Sequence, residues 1–130
     1  VGNLAIPDSL MLAMRASPCL DLQLPDDERV ALLLEDYDFF VQDTTLFCSR
    51  LDALIELRGK AVVQGWKNKV HTAQIEAVVR ELLTTHYDPG YAQSMQRNFS
   101  QYGTSKKIAA SDRSAGAMGQ LAQNILAQSA

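Results

Sequence analysis

The chain lacks the short motifs that mark most nucleotide- and acyl-handling sites. Its 130 residues hold no Gly-x-x-x-x-Gly-Lys-Ser/Thr phosphate loop and no Gly-x-Gly-x-x-Gly turn. A Gly-x-Ser-x-Gly nucleophile elbow is absent too. Imidazole is scarce: His71 and His86 are the two histidines, and neither adjoins a serine or cysteine in a catalytic pattern. Cys19 and Cys48 are far apart, with no Cys-x-x-Cys or Cys/His cluster, so the spacing gives no metal site. Set among apolar neighbours, they read as buried thiols of a reducing compartment. A disulfide, a metal pair or a nucleophile are the alternatives. No apolar run reaches the roughly 18 residues of a membrane span. The N-terminus shows no basic flank followed by an apolar stretch, so no secretory signal is read and a cytoplasmic location is expected. The sequence opens on Val1 rather than Met and reads as a segment of a larger protein.

What is present is ordinary in amount and uneven in distribution. Apolar residues make up 47% and charged residues 21%, as in a soluble domain. Residues 1–49 set nine carboxylates against Arg15 and Arg29, a net charge of minus seven. Residues 50–71 are plus three, from Arg50, Arg58, Lys60, Lys67 and Lys69 against Asp52 and Glu56. A chain of net charge −3 is a poor non-specific binder of nucleic acid, yet a local basic segment can still meet phosphate. Taken alone, those cations read as a solvated helix face.

Along the chain, residues 1–5 read as the end of a strand, and Pro7 suits the first turn of a helix over PDSLMLAMRA. CLDLQLP alternates, with Leu20, Leu22 and Leu24 on one side, which predicts a strand with one buried face. Asp26 caps a helix over DDERVALLLEDYDFF, with Val30, Leu33, Leu34 and Tyr37 as its apolar stripe. The order strand–helix–strand–helix points to parallel α/β architecture. From residue 41 the pattern is helical. TTLFCSRLDALIELRG carries an apolar face and ends at Gly59 as a cap. KAVVQGWKNKV is a weaker helix. A third starts at Thr72 and runs to an Asp88-Pro89-Gly90 turn. YAQSMQRNFSQYG is a short helix stopped by Gly103, KKIAA a short strand, and SAGAMGQLAQNILAQ a terminal helix weakened by two glycines. The expected fold is mainly α with a small α/β part, divided into residues 1–40 and residues 41–130 packed as one unit.

Three blocks in this order, LLLEDY, LRGK…W and HYDPGY, resemble the bacterial tRNA 2-selenouridine synthase family. The likeness covers roughly residues 1–100. IPDSLMLAMRASPCLDLQLPDDERVALLLEDY is similar to the later part of the family's P-loop domain, and the other two blocks to its helical C-terminal region. The resemblance implies a strand–helix–strand–helix edge of a P-loop-type sheet followed by that region. It implies an enzyme that replaces the sulfur of wobble 2-thiouridine in tRNA by selenium through a geranylated intermediate. Selenophosphate and geranyl diphosphate would be the parent's co-reactants. The family's catalytic cysteine, in its rhodanese-like domain, and its phosphate loop would both precede Val1. No catalytic or metal-binding residue and no cofactor is therefore assigned to this segment, and alone it is expected to be inactive. Cys19 and Cys48 match neither functional element.

On this resemblance Arg50, Arg58, Lys60, Lys67 and Lys69 become candidates for the tRNA backbone, where phosphate contacts position without reading sequence. Arg29, His86, Tyr87, Asp88 and Tyr91 are candidates for a substrate or nucleotide pocket. For Arg29 the competing reading is a surface residue. For the HYDPGY residues it is a structural corner, with Asp88 capping a helix and the tyrosines packing between helices. Trp66 stacks on a base or fills a core. Two other classes compete with the enzyme segment: a helical protein–protein interaction module without chemistry, and a small-molecule binder using the tyrosine corner. Self-association through an exposed sheet edge is a further expectation.

Overall fold

The computed structural model describes residues 4–129. Helix α1 (Asp8–Ala16) precedes strand β1 (Leu20–Gln23). Then come α2 (Asp26–Asp36), α3 (Asp38–Gln42), α4 (Thr44–Leu51), α5 (Ile55–Arg58), α6 (Lys60–His71) and α7 (Ile75–Leu82). A 3-10 turn, Asp52–Leu54, joins α4 to α5, and a π-helical turn, Leu83–Tyr87, leads into α8 (Asp88–Asn98). Another 3-10 turn (Tyr102–Thr104), strand β2 (Lys106–Ala109) and α9 (Ala115–Ser129) follow. The fold is mainly helical, with a small two-stranded parallel sheet. It divides into two compact units: Asp26–Tyr87, and the described residues up to Pro25 together with those from Asp88 on. The boundary expected at residue 40 falls within α3, inside the first-named of these.

The sheet unit pairs β1 with β2 in parallel, in the register Leu20↔Lys106 to Gln23↔Ala109. The pairing continues at each end, through Lys106 N to Cys19 O at 3.4 Å and Ala110 N to Gln23 O at 2.9 Å. The Ser100 amide and hydroxyl both donate to Arg15 O, at 2.9 and 3.1 Å, and Gln101 Nε2 donates to Ala16 O. These bonds satisfy carbonyls that the last turn of α1 leaves open. A small core joins Ile108, Ala110 and Leu121, with Leu24 and Ile125 against it. Helix α9 thus covers one end of the sheet.

Of the strand expected over residues 1–5, residues 1–3 lie outside the described residues, and Leu4 and Ala5 belong to no strand. Among the described residues the first 40 run helix, strand, helix, helix, and the partner of β1 comes from the far end of the chain. The single buried face of β1 is not formed: Leu20 is 44% and Leu22 57% exposed. Alternation buries a face only where a second layer lies on it, and α9 reaches only the Leu24 end. The helix expected to stop at Gly103 ends at Asn98, followed by turns. The expected strand at Lys106 and the terminal helix both form.

The all-helical unit, Asp26–Tyr87, holds the larger core. Phe47, Cys48 and Leu51 of α4 meet Val63, Trp66 and Val70 of α6 and Val78 and Leu82 of α7. Spacings of three and four put these residues on one stripe of each helix. Gly59, at φ 90° and ψ 151°, closes α5 and opens α6, a backbone state that glycine alone adopts without strain. The expected helix over DDERVALLLEDYDFF breaks at Tyr37, which divides α2 from α3.

Thr72 is also reassigned. It ends α6 rather than capping the next helix, and its hydroxyl bonds Asn68 O at 3.0 Å. Beyond it Ala73 takes φ 59°, while Ala73 N bonds Val70 O and Gln74 N bonds Lys69 O. This is the paired bonding of a left-handed helix stop. The Asp-Pro-Gly turn is likewise not a turn. Asp88, Pro89 and Gly90 form the first turn of α8, where proline's missing N–H costs nothing.

Candidate functional site

The apolar stripes of the helical unit do not close completely. A cleft of about 310 Å³ opens between α2, α3, α4 and α7. Leu33 and Leu34 of α2 form one wall, Ile75, Val79 and Leu82 of α7 another. Tyr37, Phe40, Val41 and Phe47 close one side, Leu83 and Tyr87 of the π turn the other. The aromatics run from surface to core. Phe40 stacks on Phe47 at 5.3 Å between centroids, Tyr37 on Phe40 at 6.1 Å, and Phe39 tilts against Phe40 at 4.4 Å. Tyr37 is 49% and Tyr87 57% exposed. The size falls in the range of small-ligand pockets, and the lining is hydrocarbon apart from two phenols. Such a surface binds apolar matter; it offers no carboxylate or imidazole for proton transfer.

The π turn sets what lies beside this cleft. Thr84 and Thr85 donate their hydroxyls to Arg80 O at 3.0 Å and Glu81 O at 2.6 Å, using carbonyls of the preceding turn. His86 packs edge-on against Tyr87, centroids 4.8 Å apart. The guanidinium of Arg58, at the end of α5, reaches His86: Nε donates to Nδ1 at 3.1 Å, and Nη2 lies 3.0 Å from the same atom. A candidate for tRNA and a candidate for the pocket thus form one pair, 28 residues apart in sequence. Just beyond Arg58, α6 starts with no side-chain cap and no acid in its first turn.

The other candidates are dispersed. Lys67 bonds Asp52 at 2.9 Å and Lys69 bonds Glu81 at 3.3 Å, each tying α6 to a neighbouring segment. At 100° per residue Lys60 and Lys67 share one side of α6 and Lys69 takes the opposite side. Arg50 and Lys60 are exposed and form no salt bridge among the described residues. The five cations therefore make no single stripe. Arg29 bonds Asp26 at 3.1 Å on its own helix. Asp88 and Tyr91 belong to the other unit. There Tyr102 is pushed up, by burial first and then by Asp21, Tyr91 and Cys19. Arg80 is raised by its hydrogen bond to Asp27 and by the charges of Asp27 and Glu76. Trp66 is 2% exposed and belongs to the core. Both cysteines are free, Cys48 buried and Cys19 half-buried.

The cleft itself was the feature hardest to read in the sequence. Its residues carry the periodicity of core stripes, and only their incomplete closure makes a site. No group of three or more metal-ligating side chains occurs among the described residues. Among them, too, no helix is long and apolar enough to cross a membrane. Compared with family models, curated proteins and solved structures, the chain matches none.

Proposed function

We propose that this chain acts as the C-terminal part of a cytoplasmic tRNA-modifying transferase of the 2-selenouridine synthase type. The observation that carries the reading is the sheet. Two parallel strands with bare leucines are rarely self-sufficient, because parallel sheets are normally covered on both faces. Further strands supplied by the rest of the parent would cover those leucines. The LLLEDY, LRGK and HYDPGY blocks support the family separately, through the sequence. In this reading the rhodanese-like and P-loop regions supply selenophosphate chemistry and the catalytic cysteine. The helical unit receives the geranyl group in its cleft and offers Arg50 and Lys60 to the tRNA backbone. The segment alone is inactive.

Two titrations of the purified chain test this. Calorimetry with geranyl diphosphate should give saturable heat that Tyr37→Asp, a change at a half-exposed cleft residue, removes. No heat with the unaltered chain sinks the prenyl role. Binding of tRNA should weaken steeply with salt and fall on charge reversal at Arg50 and Lys60. If reversal changes nothing, the chain is better read as a helical protein–protein module. The exposed Tyr37 and Phe39, 49% and 51%, favour that second reading.

A further inference from the structure

We infer that Arg58 and His86 together form a binding site for a phosphate group. Arg58 carries only donors, so the ring atom facing it, Nδ1, must accept. The remaining proton of the neutral imidazole is then on Nε2, and that edge of the ring donates. Arg58 spends Nε–H and one Nη2–H on His86, which leaves N–H groups of its fork free. The pair thus offers donors and a fixed positive charge, and neither group forms a salt bridge with a carboxylate among the described residues. A planar guanidinium fork held by a neighbouring ring is suited to the tetrahedral oxygens of phosphate. Tyr87 touches His86 and lines the cleft, so the pair adjoins apolar space. The phosphate is therefore either the head of an apolar ester or a bare backbone group. The inference rests on the proposed function only for that origin; the pair itself is argued from its geometry.

The test is a nuclear magnetic resonance titration of the whole chain with inorganic pyrophosphate, read at the backbone amides around Arg58 and Tyr87 in every variant and at the ring signals of His86 where the ring is present. A sodium chloride series of equal ionic strength serves as control. Saturable shifts are expected, with binding at least about tenfold weaker in Arg58→Ala and in His86→Phe. His86→Gln, whose amide keeps one acceptor and one donor, should stay within about threefold of the original. Shifts no larger than those in chloride overturn the inference, as does unchanged binding in a folded Arg58→Ala chain. That failure is separate from the geranyl diphosphate titration, which can succeed through the cleft alone. Methyl phosphate and octyl phosphate then give the origin. Tighter binding of the octyl ester with shifts at Tyr87 supports a head group beside the cleft. Equal binding supports a bare phosphate such as that of an RNA backbone.

Discussion

Cys48 Sγ lies 3.7 Å from His71 Nε2, which brings the thiol of α4 to the last turn of α6. The sulfur side of this contact is inside the core, for Cys48 is only 7% exposed. Cys19 is half-buried in the other unit, where its thiol donates to Ser17 O at 3.6 Å.

The two thiols should therefore label at different rates. A maleimide added to the native chain is expected to modify Cys19 first, with Cys48 slower by about tenfold or more because it must await local opening. Mass spectrometry of digests over time reads this directly. In denaturant the rates should converge. Equal native rates would show that the α4–α6 contact does not protect the sulfur.

Backbone state, rather than contact, decides a second pair of substitutions. Ala73 holds a left-handed φ of 59° in the stop between α6 and α7. Ala73→Gly should raise stability by about 0.5–1 kcal/mol, since glycine enters this state without the Cβ penalty. Gly59→Ala should do the opposite and cost about 1–3 kcal/mol. A Cβ there meets nothing within 4 Å among the described residues, so the expected loss comes from the φ of 90°. Urea unfolding of both variants checks the two signs.

Trp66 separates volume from polarity in the core. It is 2% exposed, and its Nε1 has no hydrogen-bond partner among the described residues. Trp66→Ala should cost about 3–5 kcal/mol through the cavity it leaves. Trp66→Phe removes the unpaired N–H together with part of the ring, and these effects oppose each other, so its loss should stay below about 1.5 kcal/mol. Thermal unfolding of the two variants distinguishes these magnitudes; a Trp66→Phe loss clearly above that bound would mean that the indole N–H is satisfied in solution.

The helices were legible because their burial follows local period. Val30, Leu51, Val78 and Leu82 stand at core-facing positions of their stripes and are buried. Gly59 was legible as a helix stop because only glycine suits its φ. The register of β1 was not legible. Its partner lies 86 positions away at Lys106, and no local pattern encodes which distant strand a parallel pair selects. Leu20 and Leu22 misled for the same reason: alternation states a preference for cover without saying whether cover exists. HYDPGY signals a turn through Pro89 and Gly90 and, equally, a helix that Pro89 opens; the helix is what forms, as the first turn of α8, while no local pattern announces the π turn before it. The Arg58–His86 pair was invisible for a third reason, since two residues 28 apart in sequence meet only in the tertiary fold.

The start of α9 provides a pH test. Asp112 Oδ1 accepts from Ser114 N at 2.8 Å, and Ser114 Oγ accepts from Ala117 N at 3.2 Å. Asp112 is held below its ordinary range, by the side-chain hydrogen bond from Ser114 first and the backbone bond second. A carboxyl whose folded value is depressed stabilises the fold above its unfolded value, and that contribution disappears as pH falls through the folded value. The Asp112 carboxyl resonance should therefore titrate with a midpoint below about 3.9, the free aspartate value. Ser114→Ala removes the cap of α9 and one donor to Asp112 together. It should move that midpoint up toward the free value and cost about 1 kcal/mol at neutral pH. A midpoint that stays put in Ser114→Ala would mean that the backbone bond alone holds the carboxylate, and the cap would then act on α9 without acting through Asp112.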